Sequence, residues 1–332
     1  MVKPDINNNK QLVYKMPGIE GEEKTGQTGI TIMLASDKNY LYPAMVLLTS
    51  LFHNHRNQKV VVYLLYMGFS KEDLDSIYSF ADTWSDKEIC CIEVTNKELG
   101  GLKAFGRFSE AAYFRILGMY LLPGTVKKVL YLDVDMVVNN NLSELFSMQM
   151  NKPITACYDI NNYLQGNIEY HKAILGIPEQ FSYFNSGMLV MDLEYMRNHS
   201  VAGRLLADIE EHFEMYALVD QDALNKFFYY NTEWLPWQKY NCPCVPVFST
   251  VQKPEGIETL IVYKEILENS ADIHGYDITS QLVSKASIIH FCTSQKPWRD
   301  RDFYERENMK EAMKIYQRYE RLYIRKSTNR QE

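Results

Sequence analysis

Blocks of apolar residues alternate with polar segments through the first hundred residues of the chain. The run from Ile30 to Ala35 predicts a buried strand, and a helix is predicted from Tyr42 to Phe52. The same order returns with a strand from Lys59 to Met67, a helix from Ser70 to about Trp84 and a strand from Glu88 to Val94. Strands that alternate with helices predict an α/β domain with a mostly parallel sheet and helices on both of its faces.

A further apolar run ends in two carboxylates, Asp133 and Asp135. The preceding residues, Val129 to Leu132, have the β-branched, aromatic and aliphatic content of a strand buried on both faces. Side chains two residues apart in an extended chain point the same way, so both carboxylates could bind one cation at the carboxyl end of the strand. Two acids in this spacing are more often a solvated loop or a cap, and the metal interpretation therefore depends on later motifs.

Three more polar groups lie at predicted element ends farther along the chain. A strand from Ile154 ends at Asp159, and Phe184 to Gly187 places small polar residues before another apolar strand. Asp220 to Asp222 opens a helix, where acids either cap the first turn or bind a ligand. Between these groups we expect a long polar excursion at 160–182 and a helix from Leu193 to about Tyr216.

A histidine, His290, ends the short strand predicted from Ser287 to Phe291, and Lys296 follows shortly after it. One imidazole and two carboxylates form a ligand set that suits Mn²⁺ better than Ca²⁺ or a closed zinc site, with Mg²⁺ as the alternative metal. Lys296 would add a positive charge for a diphosphate. A metal and a lysine beside a diphosphate are what the departure of a nucleotide requires.

Neither of the common glycine-rich nucleotide motifs, G-x-G-x-x-G after the first strand or G-x-x-x-x-G-K-[ST], occurs in the chain. A nucleotide would therefore have to bind in another way. The glycines from Gly100 to Phe108 predict either a mobile loop or an ordinary connection. Ser109 to Leu122 predicts a helix that contains Arg115.

The 332 residues are enough for one large α/β domain, with or without a small appendage. We expect a disordered arm at 1–28, the main domain at 29–299 and a basic helical tail at 300–332. The absence of a long apolar run and of a signal-peptide pattern makes the cytoplasm the expected compartment. A net charge of −7 argues against a nucleic-acid partner, and the six cysteines, which form no C-x-x-C pair, are expected to be reduced and structural.

Four motifs in this order resemble glycosyltransferase family 8, which includes bacterial lipopolysaccharide galactosyl- and glucosyltransferases and glycogenin. The motifs are Tyr131 to Asp135, Phe184 to Gly187, Asp220 to Asp222, and His290 with Lys296-Pro297-Trp298. The similarity extends from about Ile30 to Trp298. It implies a GT-A fold, a UDP-galactose or UDP-glucose donor, Mn²⁺, retention of anomeric configuration and a saccharide or lipid-linked saccharide acceptor.

The resemblance assigns a role to each matching position. Metal ligands would be Asp133, Asp135 and His290, with Lys296 at the diphosphate. The remaining positions would contact the uridine (Ala35, Asp37, Asn39 and Tyr40), the donor sugar (Arg115, Asp159, Asn185 and Asp220) and the face opposite the leaving group (Gln221 and Asp222).

One position departs from the family pattern, because Thr293 stands where the family usually has a glycine. A side chain at this position leaves less room for the backbone to approach the diphosphate than a glycine would. Retention requires either two inversions or attack on the same face. The first route needs a carboxylate nucleophile, which Asp222 could be only if it reaches the anomeric carbon, and the Gln221 amide is a poor nucleophile; we expect attack on the same face.

Three other functions are compatible with parts of the pattern. A protein-directed or self-glucosylating transferase, like glycogenin, would use the same donor residues. A metal-dependent phosphodiesterase would release sugar phosphate, although His53-Asn54-His55 lacks the surroundings of an HNH nuclease. A non-catalytic nucleotide-sugar binding module is disfavoured by the full set of metal and sugar residues.

The tail from Lys310 to Arg330 is basic in a protein that is acidic overall. Met309, Met313, Tyr316 and Tyr323 recur at near-helical spacing, which predicts an amphipathic helix with cations along its flanks. Such a helix either packs on the domain or makes peripheral contact with an anionic membrane through 309–330. We favour membrane contact at the inner face of the plasma membrane.

Overall fold

The computed structural model describes residues 29–100, 109–164, 166–244, 248–249, 276–277, 279–306 and 309–328. The expected N-terminal arm lies outside these residues, as does all of the glycine-rich loop after Gly100.

Strands and helices alternate through the first half of the described chain. The strands are β1 (Ile30–Asp37), β2 (Val60–Met67), β3 (Lys87–Glu93), β4 (Lys128–Asp133), β5 (Met136–Val138), β6 (Ile154–Tyr158), β7 (Phe184–Asp192), β8 (Thr232–Leu235), β9 (Cys242–Pro243), β10 (Phe248–Ser249), β11 (Tyr276–Asp277) and β12 (Ile288–His290).

The helices are α1 (Leu41–Asn54), α2 (Lys71–Ala81), α3 (Asn96–Leu99), α4 (Phe114–Leu121), α5 (Ser143–Ser147), α6 (Ile160–Leu164), α7 (Ile168–Leu175), α8 (Leu193–Asn198), α9 (Val201–Glu211), α10 (Asp220–Phe228), α11 (Trp237–Tyr240), α12 (Thr279–Lys285) and α13 (Lys310–Thr328). Short 3₁₀ turns lie at Lys38–Tyr40, Glu110–Tyr113, Phe213–Met215 and Arg301–Glu305.

The centre of the fold is a seven-stranded sheet with the order β3-β2-β1-β4-β7-β6-β8. β7 is antiparallel to β4 and to β6, while the other pairings in this sheet are parallel. The predicted α/β class with a mostly parallel sheet is therefore confirmed. The carboxyl ends of β1 and β4 meet at one edge, where Ala35 is paired with Asp133.

Both faces of the sheet are buried, as the continuous apolar runs predict. Alternate β1 residues enter two different clusters. Met33 packs with α4, α9 and α10 on one face, while Leu34 packs with α1 and α2 on the other. The strands are thus held between two helical layers, which fixes the ends that carry the polar residues.

Two predicted segments differ from the structure. The helix expected from Leu193 to Tyr216 is interrupted at Ser200, which has a φ of +49° and separates α8 from α9. A left-handed residue cannot continue a right-handed helix, and apolar periodicity does not reveal it. The polar excursion at 160–182 contains α6 and α7, whose inner face includes the buried residues Ile168, His171 and Leu175.

A small second sheet, with the order β5-β12-β9, brings the distant histidine to the aspartates. His290 is paired with Met136 in the antiparallel β12–β5 ladder, and the Phe291 amide donates to the Asp135 carbonyl at 2.9 Å. Asp135 lies in the turn between β4 and β5, and not in the extended chain that the sequence predicted. The two carboxylates therefore approach each other across a turn.

The tail helix α13 packs on the domain. Its buried residues include Met313, Tyr316 and Tyr319, which share a hydrophobic cluster with α12 and the small sheet. Glu320 is also buried and accepts hydrogen bonds from Tyr42 and Arg301. The apolar face of the tail is therefore occupied by its own domain. Over the described residues, no helix is both long enough and apolar enough to cross a membrane.

Candidate active site

Three potential metal ligands converge where the two sheets meet. His290 Nε2 lies 3.3 Å from Asp135 Oδ1 and 3.9 Å from Asp133 Oδ2. One ligand atom from each of the three residues falls within 4.8 Å of the others. A single divalent cation could therefore contact all three groups.

The tautomer of His290 favours metal binding. Its Nδ1 lies 2.9 Å from Asn241 Oδ1, and Asn241 in turn donates through Nδ2 to Asn185 Oδ1 at 2.9 Å. Because the amide oxygen accepts the Nδ1 proton, the neutral ring presents the Nε2 lone pair to the carboxylates. Three electron-rich atoms facing one another are stable only with a cation or a proton between them, so the donor set fits a divalent metal.

Lys296 is the second positive group at the site. Its Nζ donates to Asp135 Oδ2 and to the Phe291 carbonyl, both at 2.7 Å. Burial lowers the pKa of Lys296, but the charge and the hydrogen bond of Asp135, with smaller contributions from Tyr40 and Cys292, together outweigh burial and raise it, so the lysine remains cationic. Burial raises the pKa of Asp135, yet the positive charge of Lys296 and the close contacts with Lys296 and His290 outweigh burial and hold that pKa well below its usual range.

Arg115 joins the metal-ligand group to the start of α10. It donates to Asp133 Oδ1 at 2.9 Å and to the Ser186 carbonyl at 2.6 Å, and its Nε lies 2.9 Å from Asp220 Oδ2. Tyr131 donates to the same Asp133 oxygen at 2.6 Å. Asp133 Oδ1 is thereby occupied, which leaves Oδ2 turned towards His290.

Burial raises the pKa of Asp220 to about 6. The positive charge of Arg115 lowers this pKa, and the negative charge of Asp133 raises it again. Asp220 is only 3% exposed, so its carboxylate has little contact with water. Its charge therefore changes closer to neutral pH than the charge of an ordinary aspartate does.

Gly187 provides the space in which the metal ligands meet. A Cβ atom at this position would lie 2.6 Å from His290 Cε1 and 2.7 Å from Asp133 Oδ2. Its φ is not in the left-handed region, so the requirement for glycine comes from close contact and not from backbone conformation.

Gln221 connects the donor-sugar residues proposed by the resemblance. Its Oε1 accepts from the Ser186 amide at 2.9 Å and from Asn185 Nδ2 at 3.2 Å. Its Nε2 donates to Asp159 Oδ2 at 2.7 Å. A small cleft runs between Asp159 and the metal-ligand group, with a lining that includes Tyr158, Asp159, Asn185, Asn241, His290 and Cys292.

Asp222 requires a correction. The structure turns its fully buried carboxylate away from the cleft, with Oδ1 bonded to Tyr183 at 2.6 Å and Oδ2 to the Leu218 amide at 2.7 Å. A carboxylate with both oxygens engaged in the interior cannot attack an anomeric carbon in the cleft. In this geometry Asp222 is not placed to act as the nucleophile of a double displacement.

The family model described as glycosyl transferase family 8 matches residues 31–302 of this chain. The chain belongs to this family. Glycosyl transfer is thus the class of chemistry that the site has to serve, and the resemblance inferred from the four motifs is confirmed.

Two curated relatives illustrate the family. The chain is 25% identical to a lipopolysaccharide 1,2-glucosyltransferase of Escherichia coli K12 over 272 residues, which cover 81% of this chain and 72% of that protein. It is 24% identical over 288 residues to the glycosyltransferase GlyF of Streptococcus pneumoniae, with 86% of this chain and 61% of GlyF covered. The chain thus spans about three fifths of the length of GlyF.

The fold is that of solved family members. The galactosyltransferase LgtC, in complex with donor and acceptor sugar analogues, superposes with a TM-score of 0.65 at 21% identity, covering 88% of this chain and 95% of LgtC. GlyE of Streptococcus pneumoniae superposes with a TM-score of 0.56 at 18% identity, covering 88% of this chain and 63% of GlyE. The expected GT-A fold is confirmed.

The loop after β1 lies beside the Lys296 segment. Asp37 accepts from the Asn39 amide at 2.8 Å and so caps the 3₁₀ turn that ends at Tyr40. The Tyr40 ring lies edge-to-face with Trp298, with 5.8 Å between the ring centroids. This family 8 loop is thereby placed near the lysine, while Ala35 remains buried within β1.

Thr293 does not distort the backbone of the segment after His290. Its φ is not positive, and its hydroxyl donates to the Gln295 carbonyl at 2.7 Å. The side chain is thus turned into its own loop. The glycine that family 8 usually has at this position is replaced without strain.

Sequence reasoning overlooked four residues that shape the site. Asn241 sets the His290 tautomer, and Tyr131 donates a hydrogen bond to Asp133. Ser186 accepts a hydrogen bond from Arg115, and Tyr183 accepts one from Gln221. Tyr131 and Ser186 lay inside motifs that had been recognised, so their positions were a usable signal. Asn241 and Tyr183 stand outside the motifs, and nothing local in the sequence marks them.

Proposed function

We propose that this chain is a metal-dependent retaining glycosyltransferase that moves galactose or glucose from a UDP-sugar to a saccharide acceptor. The observation that carries this proposal is the convergence of Asp133, Asp135 and His290, with Lys296 beside them, in a family 8 fold. The donor and acceptor analogues bound to LgtC and the activity named for the Escherichia coli relative support it.

Asp133, Asp135 and His290 would hold Mn²⁺, with Mg²⁺ as the alternative. When bound, the ion would neutralise charge on the diphosphate of the donor. Lys296 would supply a second positive charge, because its ammonium group is held at the edge of the same site. Arg115 keeps one Asp133 oxygen occupied and thereby directs the other towards the metal position.

Ala35, Asp37, Asn39 and Tyr40 would bind the uridine, with the Tyr40 ring against the base. The hydroxyl groups of the hexose would contact Arg115, Asp159, Asn185 and Asp220, of which Asp159 and Asn185 line the cleft. These residues offer both donors and acceptors, as recognition of sugar hydroxyls requires. The axial or equatorial hydroxyl that separates galactose from glucose would be read here.

Retention would follow from attack of the acceptor hydroxyl on the same face from which UDP leaves. The interior position of Asp222 favours this route over double displacement, and the Gln221 amide is a poor nucleophile. Gln221 would instead border the anomeric carbon on the opposite face, where its dipole can stabilise positive charge that develops on the sugar.

A saccharide or lipid-linked saccharide of cell-surface polysaccharide or lipopolysaccharide would be the acceptor. The protein would then work at the cytoplasmic face of the membrane. Because the apolar face of α13 is packed on the domain, contact would be electrostatic, through exposed Lys310, Lys314, Arg321 and Arg325. Each cation near an anionic surface contributes about 1 kcal/mol.

The proposal is tested by measuring UDP release from UDP-galactose and UDP-glucose with Mn²⁺ and a panel of glycoside acceptors, and by identifying the labelled product. A labelled saccharide with retained configuration is expected. Label that stays with the polypeptide would select the protein-directed or self-glucosylating alternative, and sugar phosphate would select the phosphodiesterase. No turnover with any UDP-hexose, under conditions in which UDP raises the melting temperature, would refute the proposal and favour a binding module.

A further inference from the structure

Behind Gln221, on the side away from the cleft, lies a buried group of polar side chains that we call the support triad: His171, Tyr183 and Asp222. Tyr183 donates to Asp222 Oδ1 at 2.6 Å, and His171 Nδ1 lies 3.1 Å from the same oxygen. Gln221 Nε2 lies 3.3 Å from the Tyr183 hydroxyl oxygen. His171 comes from α7, Tyr183 precedes β7 and Asp222 belongs to α10, so three separate segments meet behind one amide.

A wholly buried carboxylate is expensive unless its oxygens are satisfied. The second oxygen of Asp222 accepts from the Leu218 amide and so spans Val219, a β-branched residue with a φ of +46°. Such a conformation persists only where the surroundings enforce it. Asp222 therefore holds the strained turn from which Asp220 and Gln221 extend.

The hydrogen bonds of the triad have a direction. Because the Tyr183 proton is directed to Asp222, its hydroxyl oxygen can accept from Gln221 Nε2. The opposite end of the amide accepts from the Ser186 amide. An inverted amide would place its NH₂ group against the Ser186 N–H and its oxygen against Asp159, and both contacts would be repulsive.

We propose that the support triad positions the Gln221 amide for transfer, so that Tyr183, His171 and Asp222 act through Gln221 without touching the donor. The inference rests on the proposed function. Together with the Ser186 amide and Asp159, the triad keeps the amide oxygen and nitrogen on fixed sides of the cleft. A rotated amide would present the wrong end of its dipole to the reacting sugar.

The test is a double-mutant cycle on the full chain with Tyr183→Phe, Gln221→Ala and both together. Tyr216→Phe is the matched control, since Tyr216 is also buried and also donates to a carboxylate, Asp208, outside the site. The measured quantities are kcat, the donor KM and the ratio of sugar transferred to acceptor over sugar transferred to water. This ratio does not depend on the fraction of protein that is folded.

We expect Tyr183→Phe to lower kcat about tenfold and to lower the transfer ratio, with the donor KM changed by less than about twofold. In the Gln221→Ala background, Tyr183→Phe should have no further effect on kcat or on the ratio. Tyr216→Phe should leave the ratio unchanged even if it lowers the melting temperature. An equal loss from Tyr183→Phe in both backgrounds, or an unchanged ratio, would overturn the positioning role.

Melting temperatures of the wild type, the two single variants and the double variant, measured without donor, separate this inference from the proposed function. If the triad and Gln221 are coupled, the shift in the double variant falls short of the sum of the single shifts by about 2 °C or more. Additive shifts overturn the inference whether or not the protein is active. If the wild type turns over no UDP-hexose but the shifts are coupled, the proposed function alone has failed.

Discussion

Replacing Gly187 with alanine should weaken the metal site although the substitution changes none of the proposed ligand residues. The added Cβ would lie 2.6 Å from His290 Cε1 and 2.7 Å from Asp133 Oδ2, whereas ordinary contacts begin at 3.4 Å. Each neighbour must therefore retreat by about 0.7 Å. Both neighbours are anchored, His290 by Asn241 and Asp133 by Arg115 and Tyr131, so neither can move without losing a hydrogen bond.

The expected cost has two components. Overpacking of this kind lowers the free energy of unfolding by about 1–3 kcal/mol. Displaced ligands should weaken Mn²⁺ binding by about 10–100-fold, the range seen when groups that orient metal ligands are removed. The second component corresponds to about 1.4–2.7 kcal/mol of binding free energy.

The measurement is a titration of Mn²⁺ followed by the melting temperature and by direct binding at equilibrium. Gly124→Ala is the matched control, because a Cβ there meets nothing within 4 Å and the residue has no left-handed φ. The control should bind Mn²⁺ like the wild type and should gain up to about 1 kcal/mol of stability from reduced freedom of the unfolded chain. Equal Mn²⁺ affinity in Gly187→Ala and Gly124→Ala would refute the argument that Gly187 provides the space for the ligands.

Three further predictions follow from the site. Asp135→Ala and chelation should each abolish transfer; the substitution should also lower the melting temperature measured without donor, because it leaves the buried Lys296 without its carboxylate partner. Retained activity in the variant would show that the ion binds elsewhere. UDP with Mn²⁺ at about 100 times its Kd should raise the melting temperature by about 5 °C and ADP by much less, since the residues near Tyr40 would read a pyrimidine; equal shifts would contradict that assignment. The pKa of Asp220 is raised to about 6 in the folded protein, so the protonated carboxyl stabilises the fold at low pH. This stabilisation, up to about 3 kcal/mol in the free energy of unfolding, is fully present below about pH 4 and disappears as pH rises through 6. Asp220→Asn should remove this part of the pH dependence in denaturant titrations, and an unchanged slope would show that the carboxyl is not perturbed.

Most of the fold could be predicted from local patterns. The apolar run Val60–Met67 specifies a strand over a short distance. At the start of α2, Ser70 and Asp73 form a capping box, in which each side chain accepts a hydrogen bond from the other's backbone amide. Such signals can be read from the sequence because burial and hydrogen bonding of neighbouring residues depend on local spacing. At Ser200 a single left-handed residue ends one helix and begins the next, and the apolar periodicity gave no sign of this break. The sequence could not show whether the apolar face of the tail helix meets a membrane or its own domain. That face packs against α1 and α12, and contacts between separate segments are not visible in local periodicity.

The sequence by itself determined the α/β class, the alternation of strands and helices in the first hundred residues, the family, and the residue types that could bind a metal and a diphosphate. Only the tertiary structure decided how these residues meet: the turn that joins Asp133 to Asp135, the small sheet that brings His290 to them, and the interior orientation of Asp222. The tertiary structure alone also decided which residues support the site from outside the motifs, among them Asn241, Tyr183 and His171. Each is selected by packing between segments that are far apart in the chain, and a hydrogen bond across such a distance leaves no periodic trace in a single sequence.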